Sequence, residues 1–161
     1  MVRRPDPGAK GVLAKPVKQV DENVSATRFF NLLARNTGRP AFRAAAEHGM
    51  RYLISLAEDD LVVPGALLAD REFGREPAHV TIVGAKDDPD AQALYAAARA
   101  YPTRYLRIEW LDRREGPLPA ADIEYPEMPQ AAAFACANGA CSVPVFEASQ
   151  VHRIVAKVDD R

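Results

Sequence analysis

The sequence predicts an α/β protein with an N-terminal helical hairpin and a small α/β lobe, which contains a βαβ unit and a C-terminal β-hairpin. Three observations predict this class. Apolar residues recur at helical spacing through residues 21–74. Between residues 79 and 110, a short β-branched run, a capped helix and an alternating run follow one another. Near the C-terminus, an Asn-Gly pair separates two segments typical of strands.

Residues 1–20 are rich in Pro, Gly and Lys and carry few apolar side chains, so we expect an extended arm or tail. The helical lobe is expected to cover residues 21–76. Its first helix is predicted to begin with Asp21 as the N-cap and to end near Asn36. Gly38 follows that end and suits the left-handed conformation that often terminates a helix.

A second helix is predicted from Pro40, because proline favours the first turn of a helix. A third is predicted from Pro64 to about Gly74, with Leu67 and Leu68 buried. The short link makes the first two helices an antiparallel hairpin. The apolar stripe of the second helix consists of Phe42, Ala45, Ala46, Gly49, Tyr52, Leu53 and Leu56.

Residues 77–161 are expected to form the α/β lobe. Residues 79–84 predict a buried strand, Asp88 caps a helix that ends near Tyr101, and residues 104–110 alternate as a half-buried strand. A strand, a helix and a second strand imply a parallel pair with a right-handed crossover. The alternation of the second strand sets Leu106, Ile108 and Trp110 on one side and Tyr105, Arg107 and Glu109 on the other.

A proline-rich connection, residues 112–129, leads to the predicted hairpin. Asn138 and Gly139 separate its two arms, and a type I′ turn requires positive φ at both central positions. A two-residue turn at this point sets Cys136 opposite Cys141. The hairpin is followed by a predicted closing helix, in which the apolar residues are Val151, Ile154, Val155 and Val158.

The two cysteines of the chain are therefore expected to face each other across the hairpin. The Cα atoms of such a pair lie about 4.5 Å apart, near the short limit of the range that disulfides span, about 4.4–6.8 Å. We expect a bridge there to be strained and easily reduced. The loop that it closes is short and adds little stability, so reversible switching explains a bridge better than stapling does.

Two other interpretations of Cys136 and Cys141 stay open. Buried cysteines often act as small apolar residues, and no Lys, Arg or His is adjacent in sequence to activate either thiol. A metal site would require both cysteines to meet His79 or His152, whereas zinc favours closer cysteine pairs and four ligands. We expect no metal and no cofactor.

Several function classes are excluded by composition. The formal net charge of −1 argues against a nucleic-acid-binding protein, which needs a basic face. The sequence contains no run of about 18 apolar residues, so it predicts no membrane span. The N-terminus lacks the apolar segment of a secretory signal, so we infer a cytoplasmic protein in which thiols are normally reduced.

Two loops that follow the predicted strands carry clustered charges. The loop at Asp87 and Asp88 lacks a phosphate-binding glycine pattern, and its charges would repel an anion. The segment from Glu109 to Glu115 concentrates charges and is expected to be a solvated ion-pair loop. Ser142 lacks the sequence context of a hydrolase nucleophile. We predict no catalytic residue in this chain.

Residues 22–53 resemble a helical hairpin of the pattern N-x-x-A-x-x-L-x-x-L-x-x-x-T-G, found near the end of large thioredoxin-domain-containing proteins. That family joins a thioredoxin-like domain to an (α/α) toroid similar to six-hairpin glycosidases and N-acylglucosamine 2-epimerases, and includes the spermatogenesis-associated thioredoxin-like proteins. The resemblance covers residues 20–147 and follows the family order. The residues of this chain that match the later part of the family pattern are Val83, Gly84, Asp88, Pro89, Cys136, Cys141, Pro144 and Val145.

The resemblance implies a stand-alone or truncated C-terminal part of such a protein, because C-x-x-C and most of a toroid are missing. The function that follows is a non-catalytic accessory or interaction domain. Its partner is expected to be a thioredoxin/toroid protein or a second copy, bound through the apolar helical faces. The alternative is a thiol–disulfide redox element that uses Cys136 and Cys141, with Asn138, Gly139 and Pro144 supporting the hairpin. A third interpretation, a carbohydrate-active fragment, rests on fold analogy alone.

Overall fold

The computed structural model describes residues 7–14, 18–58, 63–103, 105–120 and 123–159. These residues fall into two compact units. The helical unit contains the residues up to Ala34 and Arg39–Gly74, and the α/β unit contains Arg35–Gly38 and the residues from Arg75 onwards. Within the described ranges, no helix is both long enough and apolar enough to cross a membrane.

Part of the predicted N-terminal arm, residues 1–6 and 15–17, lies outside the described residues. Its described part includes a short 3₁₀ helix, Gly11–Ala14. The three predicted helices are present as α1 (Val20–Thr37), α2 (Pro40–Glu58) and α3 (Pro64–Phe73). Helix α1 begins one residue before Asp21, so this carboxylate lies in the first turn, where the helix dipole favours negative charge.

The core of the helical unit is small and is built from all three helices. Helices α1 and α2 approach closely at Gly49, where an added Cβ would collide with the Thr27 side chain. The prediction that Leu67 and Leu68 are buried is wrong, because they are 69% and 42% exposed. Helix α3 instead packs through its small side chains. The buried apolar residues of this core are Val24, Met50, Leu53, Ala66 and Ala69.

Helix α3 also buries a carboxylate, Glu72, which the sequence alone did not indicate. Arg28 of α1 donates to both Glu72 oxygens, with N–O distances of 2.6 and 2.8 Å. Asn31 Nδ2 donates to the Glu72 carbonyl oxygen at 3.2 Å. This bidentate pair compensates the desolvation of the carboxylate and fixes α3 against α1.

The α/β unit matches the predicted fold class, with helices, a mixed sheet and a C-terminal hairpin. Its described strands form one sheet in the order β2-β1-β3-β4. Strands β1 and β2 are parallel, as predicted for the βαβ unit, whereas β3 is antiparallel to both β1 and β4. The elements are β1 (Ala78–Val83), α4 (Pro89–Arg99), β2 (Leu106–Leu111), β3 (Ala132–Ala137), β4 (Ala140–Cys141) and α5 (Ala148–Asp159).

Helices α4 and α5 cover one face of this sheet. Asp88 caps α4, since its Oδ1 accepts a hydrogen bond from the Asp90 N–H at 2.9 Å. Strand β3 presents alanines at 133, 135 and 137 to this face, and their small side chains allow close packing of α5. The predicted apolar side of the closing helix is confirmed, with Val151, Ile154, Val155 and Val158 all buried.

The other face of the sheet is covered by residues 112–120 and 123–130, a covering segment that the sequence indicated only as a connection. Tyr125 of this segment packs on Phe134 and Cys136 of β3. The polar side of β2 is therefore buried, with Arg107 and Glu109 at 5% and 8% exposure. The half-buried pattern predicted for β2 is wrong on this point, because the connection folds back as a cover.

The hairpin turn has the geometry that the Asn-Gly pair predicts. The φ angles of Asn138 and Gly139 are 51° and 75°. Strand β4 has only two residues, and pairing resumes at Val145, which exchanges backbone hydrogen bonds with Ala133 at 2.8 and 3.0 Å. Pro144 lies in the interruption, where its missing N–H costs the ladder no hydrogen bond.

We expect Asn138→Ala to lower the free energy of unfolding of the α/β unit by about 1 kcal/mol, because alanine is disfavoured at positive φ. The matched Asn138→Gly substitution should cost little, since glycine adopts this φ freely. Urea unfolding followed by the fluorescence of Trp110, the only tryptophan of the chain, measures both variants. Equal losses in the two variants would show that backbone conformation at residue 138 does not limit stability.

Candidate functional site

A row of four side chains crosses the described sheet from one edge to the other. In the strand register, Arg107 of β2 is opposite His79 of β1, His79 is opposite Cys136 of β3, and Cys136 is opposite Cys141 of β4. All four positions belong to the face that residues 112–120 and 123–130 cover. The sheet thus brings both cysteines into line with two basic side chains.

Cys136 and Cys141 are joined by a disulfide, and their Cα atoms are 4.0 Å apart. The prediction that the two cysteines face each other within bridging distance is confirmed. The bridge is asymmetric, since Cys136 is only 2% exposed whereas Cys141 lies on the exposed edge strand β4. Cys136 is therefore shielded from solvent, whereas Cys141 is a solvent-exposed residue at the edge of the sheet.

A line of hydrogen-bonding groups runs inward from the buried sulfur. The Tyr125 hydroxyl lies 3.8 Å from Cys136 Sγ and 2.8 Å from Thr81 Oγ1. Thr81 Oγ1 lies 3.0 Å from His79 Nε2, which in turn lies 2.7 Å from Glu109 Oε2. Each of these side chains is buried. The line connects a disulfide sulfur to a carboxylate through three intervening polar groups.

Arg107 completes this arrangement. Its Nη2 donates to Glu109 Oε1 at 2.9 Å and to the Ala120 carbonyl oxygen at 2.7 Å. Burial raises the pKa of the Glu109 carboxyl, but hydrogen bonds from His79 and Arg107, together with their attraction, outweigh burial and leave that pKa below its usual value. Glu109 is therefore ionised near neutral pH. We call Arg107, Glu109, His79, Thr81 and Tyr125 the buried polar cluster.

The lowered pKa of Glu109 predicts a dependence of stability on pH. The ionised carboxylate contributes stability in full above the pKa of an unfolded glutamate, about 4.3, and loses it as pH falls through the lower folded pKa. We expect the free energy of unfolding of the α/β unit to fall as pH drops below about 4. Glu109→Gln should show a shallower fall, because glutamine does not titrate.

Urea unfolding at a series of pH values, followed by Trp110 fluorescence, measures this difference. Other acidic groups are common to both proteins and cancel in the comparison. Identical pH slopes for the wild-type protein and Glu109→Gln would contradict the assignment of a lowered pKa to Glu109.

The predicted ion-pair loop is correct only in part. Asp112 is buried, and hydrogen bonds from the Arg114 side chain and the Lys86 N–H hold the pKa of its carboxyl well below the usual range. Arg114 also pairs with the exposed Asp87 at 2.7 Å. A groove of about 380 Å³ opens here, at the carboxyl ends of β1 and β2. Since Arg114 is already paired with Asp112 and with Asp87, we assign no site to this groove.

The histidines considered for a metal site are dispersed in the structure. His79 belongs to the buried polar cluster, and His152 Nε2 lies 3.0 Å from the Ala97 carbonyl oxygen on the other face of the sheet. Within the described ranges, no three His, Cys, Asp or Glu side chains form a group that could hold a metal ion. The two cysteine sulfurs are bonded to each other rather than directed at a common ligand.

The sequence contained one unused signal for the buried polar cluster. His79 and Thr81 alternate with Val80 and Ile82, so the first strand is polar on one side and apolar on the other. The prediction from the apolar run alone gives a buried strand and does not distinguish these two sides. Tyr125 had no comparable signal, because nothing in its local sequence indicates that the connection covers the sheet.

Comparisons with models of known protein families, with curated proteins and with solved structures found no match to this chain. The resemblance to the C-terminal region of thioredoxin-domain-containing toroid proteins therefore stays a prediction. The chemistry of the Cys136–Cys141 bridge has to be argued from its own surroundings.

Proposed function

We propose that this protein is a thiol–disulfide redox element in which Cys136 and Cys141 exchange with external thiols. One observation carries the proposal: the bridge joins an exposed cysteine on an edge strand to a buried cysteine whose sulfur lies beside a hydroxyl group. An external thiol is expected to attack the sulfur of the exposed Cys141, because Cys136 is buried and out of its reach. A bridge that served only as a staple would close a loop too short to add much stability.

The exchange needs a co-reactant, which we propose to be a low-molecular-weight thiol such as glutathione in a cytoplasmic setting. Its thiolate attacks Cys141 Sγ, the Cys136–Cys141 bond breaks, and Cys136 leaves as a thiolate that then takes up a proton. A second thiolate attacks the glutathione sulfur of the mixed disulfide and releases Cys141. In total, the protein disulfide gains two electrons and two protons, and two thiols become one oxidised disulfide.

Two single serine variants test this proposal, because the cysteine that remains is exposed in one variant and buried in the other. In Cys136→Ser, the remaining Cys141 thiol is exposed and should react quickly with iodoacetamide in the native protein. In Cys141→Ser, the remaining Cys136 thiol is buried and should react only after unfolding. Mass spectrometry of the alkylated proteins reads out both, and neither variant should show a reversible intramolecular bridge.

The double variant, Cys136→Ser with Cys141→Ser, is the control for unfolding caused by the substitutions. Equal alkylation rates of the two single variants would show that the sulfurs are equally accessible, which contradicts the proposed direction of attack. A wild-type bridge that no excess of glutathione opens would contradict the redox function itself.

A second candidate function is the accessory or interaction domain that the resemblance implies. Four large apolar side chains on the helical unit support it, since each is at least 42% exposed: Phe29, Ile54, Leu67 and Leu68. The partner would be a thioredoxin/toroid protein or a second copy of this chain. Light scattering and pull-down assays test it, and a monodisperse monomer that captures no such partner would count against it.

A further inference from the structure

We propose that the Tyr125 hydroxyl is the catalytic hydrogen-bond donor that stabilises Cys136 as the leaving thiolate, and that Thr81, His79 and Glu109 are the positioning residues that aim it at the sulfur. This inference rests on the proposed redox function and deepens it. It explains why a hydroxyl group and four other polar side chains are buried on the same sheet face as the bridge.

The donor and the acceptor of each hydrogen bond in this line can be assigned by starting from the Glu109 carboxylate. Ionised Glu109 can only accept, so His79 Nε2 must carry a hydrogen and donate it to Glu109 at 2.7 Å. Because this nitrogen carries a hydrogen, it has no free lone pair. The Thr81 hydroxyl therefore cannot donate a hydrogen bond to His79 Nε2. It donates instead to the Tyr125 oxygen, which lies 2.8 Å away. The Tyr125 hydrogen is then directed to Cys136 Sγ.

This direction matters because the needs of the sulfur change during exchange. A disulfide sulfur accepts hydrogen bonds weakly, whereas the thiolate that leaves when the bridge opens carries a full negative charge. A donor already aimed at Cys136 stabilises the charge at the moment it forms, with no reorganisation of solvent. A better-stabilised leaving thiolate makes attack on its partner sulfur faster. Tyr125 therefore favours attack at Cys141.

The charges near Cys136 are accounted for on every described element that packs on this face. Arg107 is held by Glu109 and by a backbone carbonyl, and His79 donates to the same carboxylate. The hydrogen bonds of these two side chains go to Glu109 and to a backbone carbonyl rather than to the sulfur. Stabilisation of the thiolate thus falls to Tyr125. The titratable or charged residues on this face of the strands are Arg107, Glu109, His79 and Cys141, and the covering segment adds Tyr125, Glu124 and Arg113, whose Nη2 donates to the Tyr125 carbonyl oxygen at 2.8 Å.

The first test replaces Tyr125 with Phe, which removes the hydroxyl and keeps the ring that packs on Phe134. We expect glutathione to open the bridge about tenfold more slowly than in the wild-type protein, the effect of one hydrogen bond to a charged group. In the reduced protein, thiolate formation followed by absorbance at 240 nm should move to higher pH. Tyr105→Phe is the matched control, since it also removes a buried hydroxyl, one that donates to the Arg75 carbonyl oxygen.

The second test addresses the positioning residues without touching the sulfur. Thr81→Val keeps the shape of the side chain but breaks the line between His79 and Tyr125, so opening should slow as it does in Tyr125→Phe. Thr81→Ser keeps the hydroxyl and should restore the wild-type rate and the wild-type thiolate profile. A merely structural role for residue 81 would predict that serine, the smaller side chain, is the worse substitution.

The outcomes separate the two proposals. A wild-type bridge that does not open and reform with glutathione overturns the redox function, and this inference with it. A reversible wild-type bridge whose opening rate and thiolate profile are the same in Tyr125→Phe overturns the inference alone. If Tyr125→Phe fails to fold, the contrast between Thr81→Val and Thr81→Ser decides, and equal rates in those two variants overturn the inference.

Discussion

Glu109→Ala is expected to lower the free energy of unfolding of the α/β unit by about 3–5 kcal/mol, the cost of removing one member of a buried ion pair. The carboxylate accepts from both His79 and Arg107, and all three side chains are less than 9% exposed. Alanine would remove the carboxylate to which both the Arg107 guanidinium and the His79 ring donate in a buried site. Urea unfolding followed by Trp110 fluorescence measures the loss, because Trp110 lies in β2 of this unit.

The control for that prediction removes both charges together. Arg107→Met combined with Glu109→Leu replaces the ion pair with apolar side chains of similar volume and should cost less than Glu109→Ala alone. A single variant that loses less than about 1 kcal/mol would contradict a desolvated pair, since exposed ion pairs contribute about that much or less.

Leu94→Ala is expected to cost about 2–5 kcal/mol, the second large effect. Leu94 lies on α4, is fully buried, and packs with β1 and α5 in the main core of the α/β unit. Truncation removes apolar burial and leaves a cavity between elements that cannot collapse freely. The same fluorescence-monitored unfolding measures it.

Val143→Ala is the matched control, because Val143 belongs to the same unit and is 79% exposed. Its effect should stay within about 0.5 kcal/mol. Comparable losses at Leu94 and Val143 would contradict the arrangement in which α4 closes the core over the sheet.

The helices and strands of this protein follow from local signals in its sequence. Pro40 and Pro64 each open a helix as predicted, and Asp88 with Pro89 opens α4. The pairing of Cys136 with Cys141 follows from the Asn-Gly turn, because a two-residue turn fixes the register of the arms it joins. These features depend on residues within a few positions of one another.

The buried polar cluster depends on long-range register and could not be predicted in the same way. His79 meets Glu109 only because β1 and β2 pair with Thr81 opposite Glu109, and that register comes from tertiary packing. Tyr125 reaches Thr81 only because the proline-rich connection folds back over the sheet. Leu67 and Leu68 show that apolar character alone does not predict burial. These two side chains are exposed, and the buried apolar residues of α3 are alanines.

The most direct test of the central claim is a redox titration of the native protein. The thiols are labelled by differential alkylation across a series of glutathione ratios, and mass spectrometry counts the modified cysteines. We predict an intramolecular Cys136–Cys141 disulfide that opens and reforms reversibly within the range of cytosolic glutathione potentials, about −220 to −320 mV. A bridge that stays oxidised across the whole series, or two thiols that stay reduced throughout, would contradict the redox function.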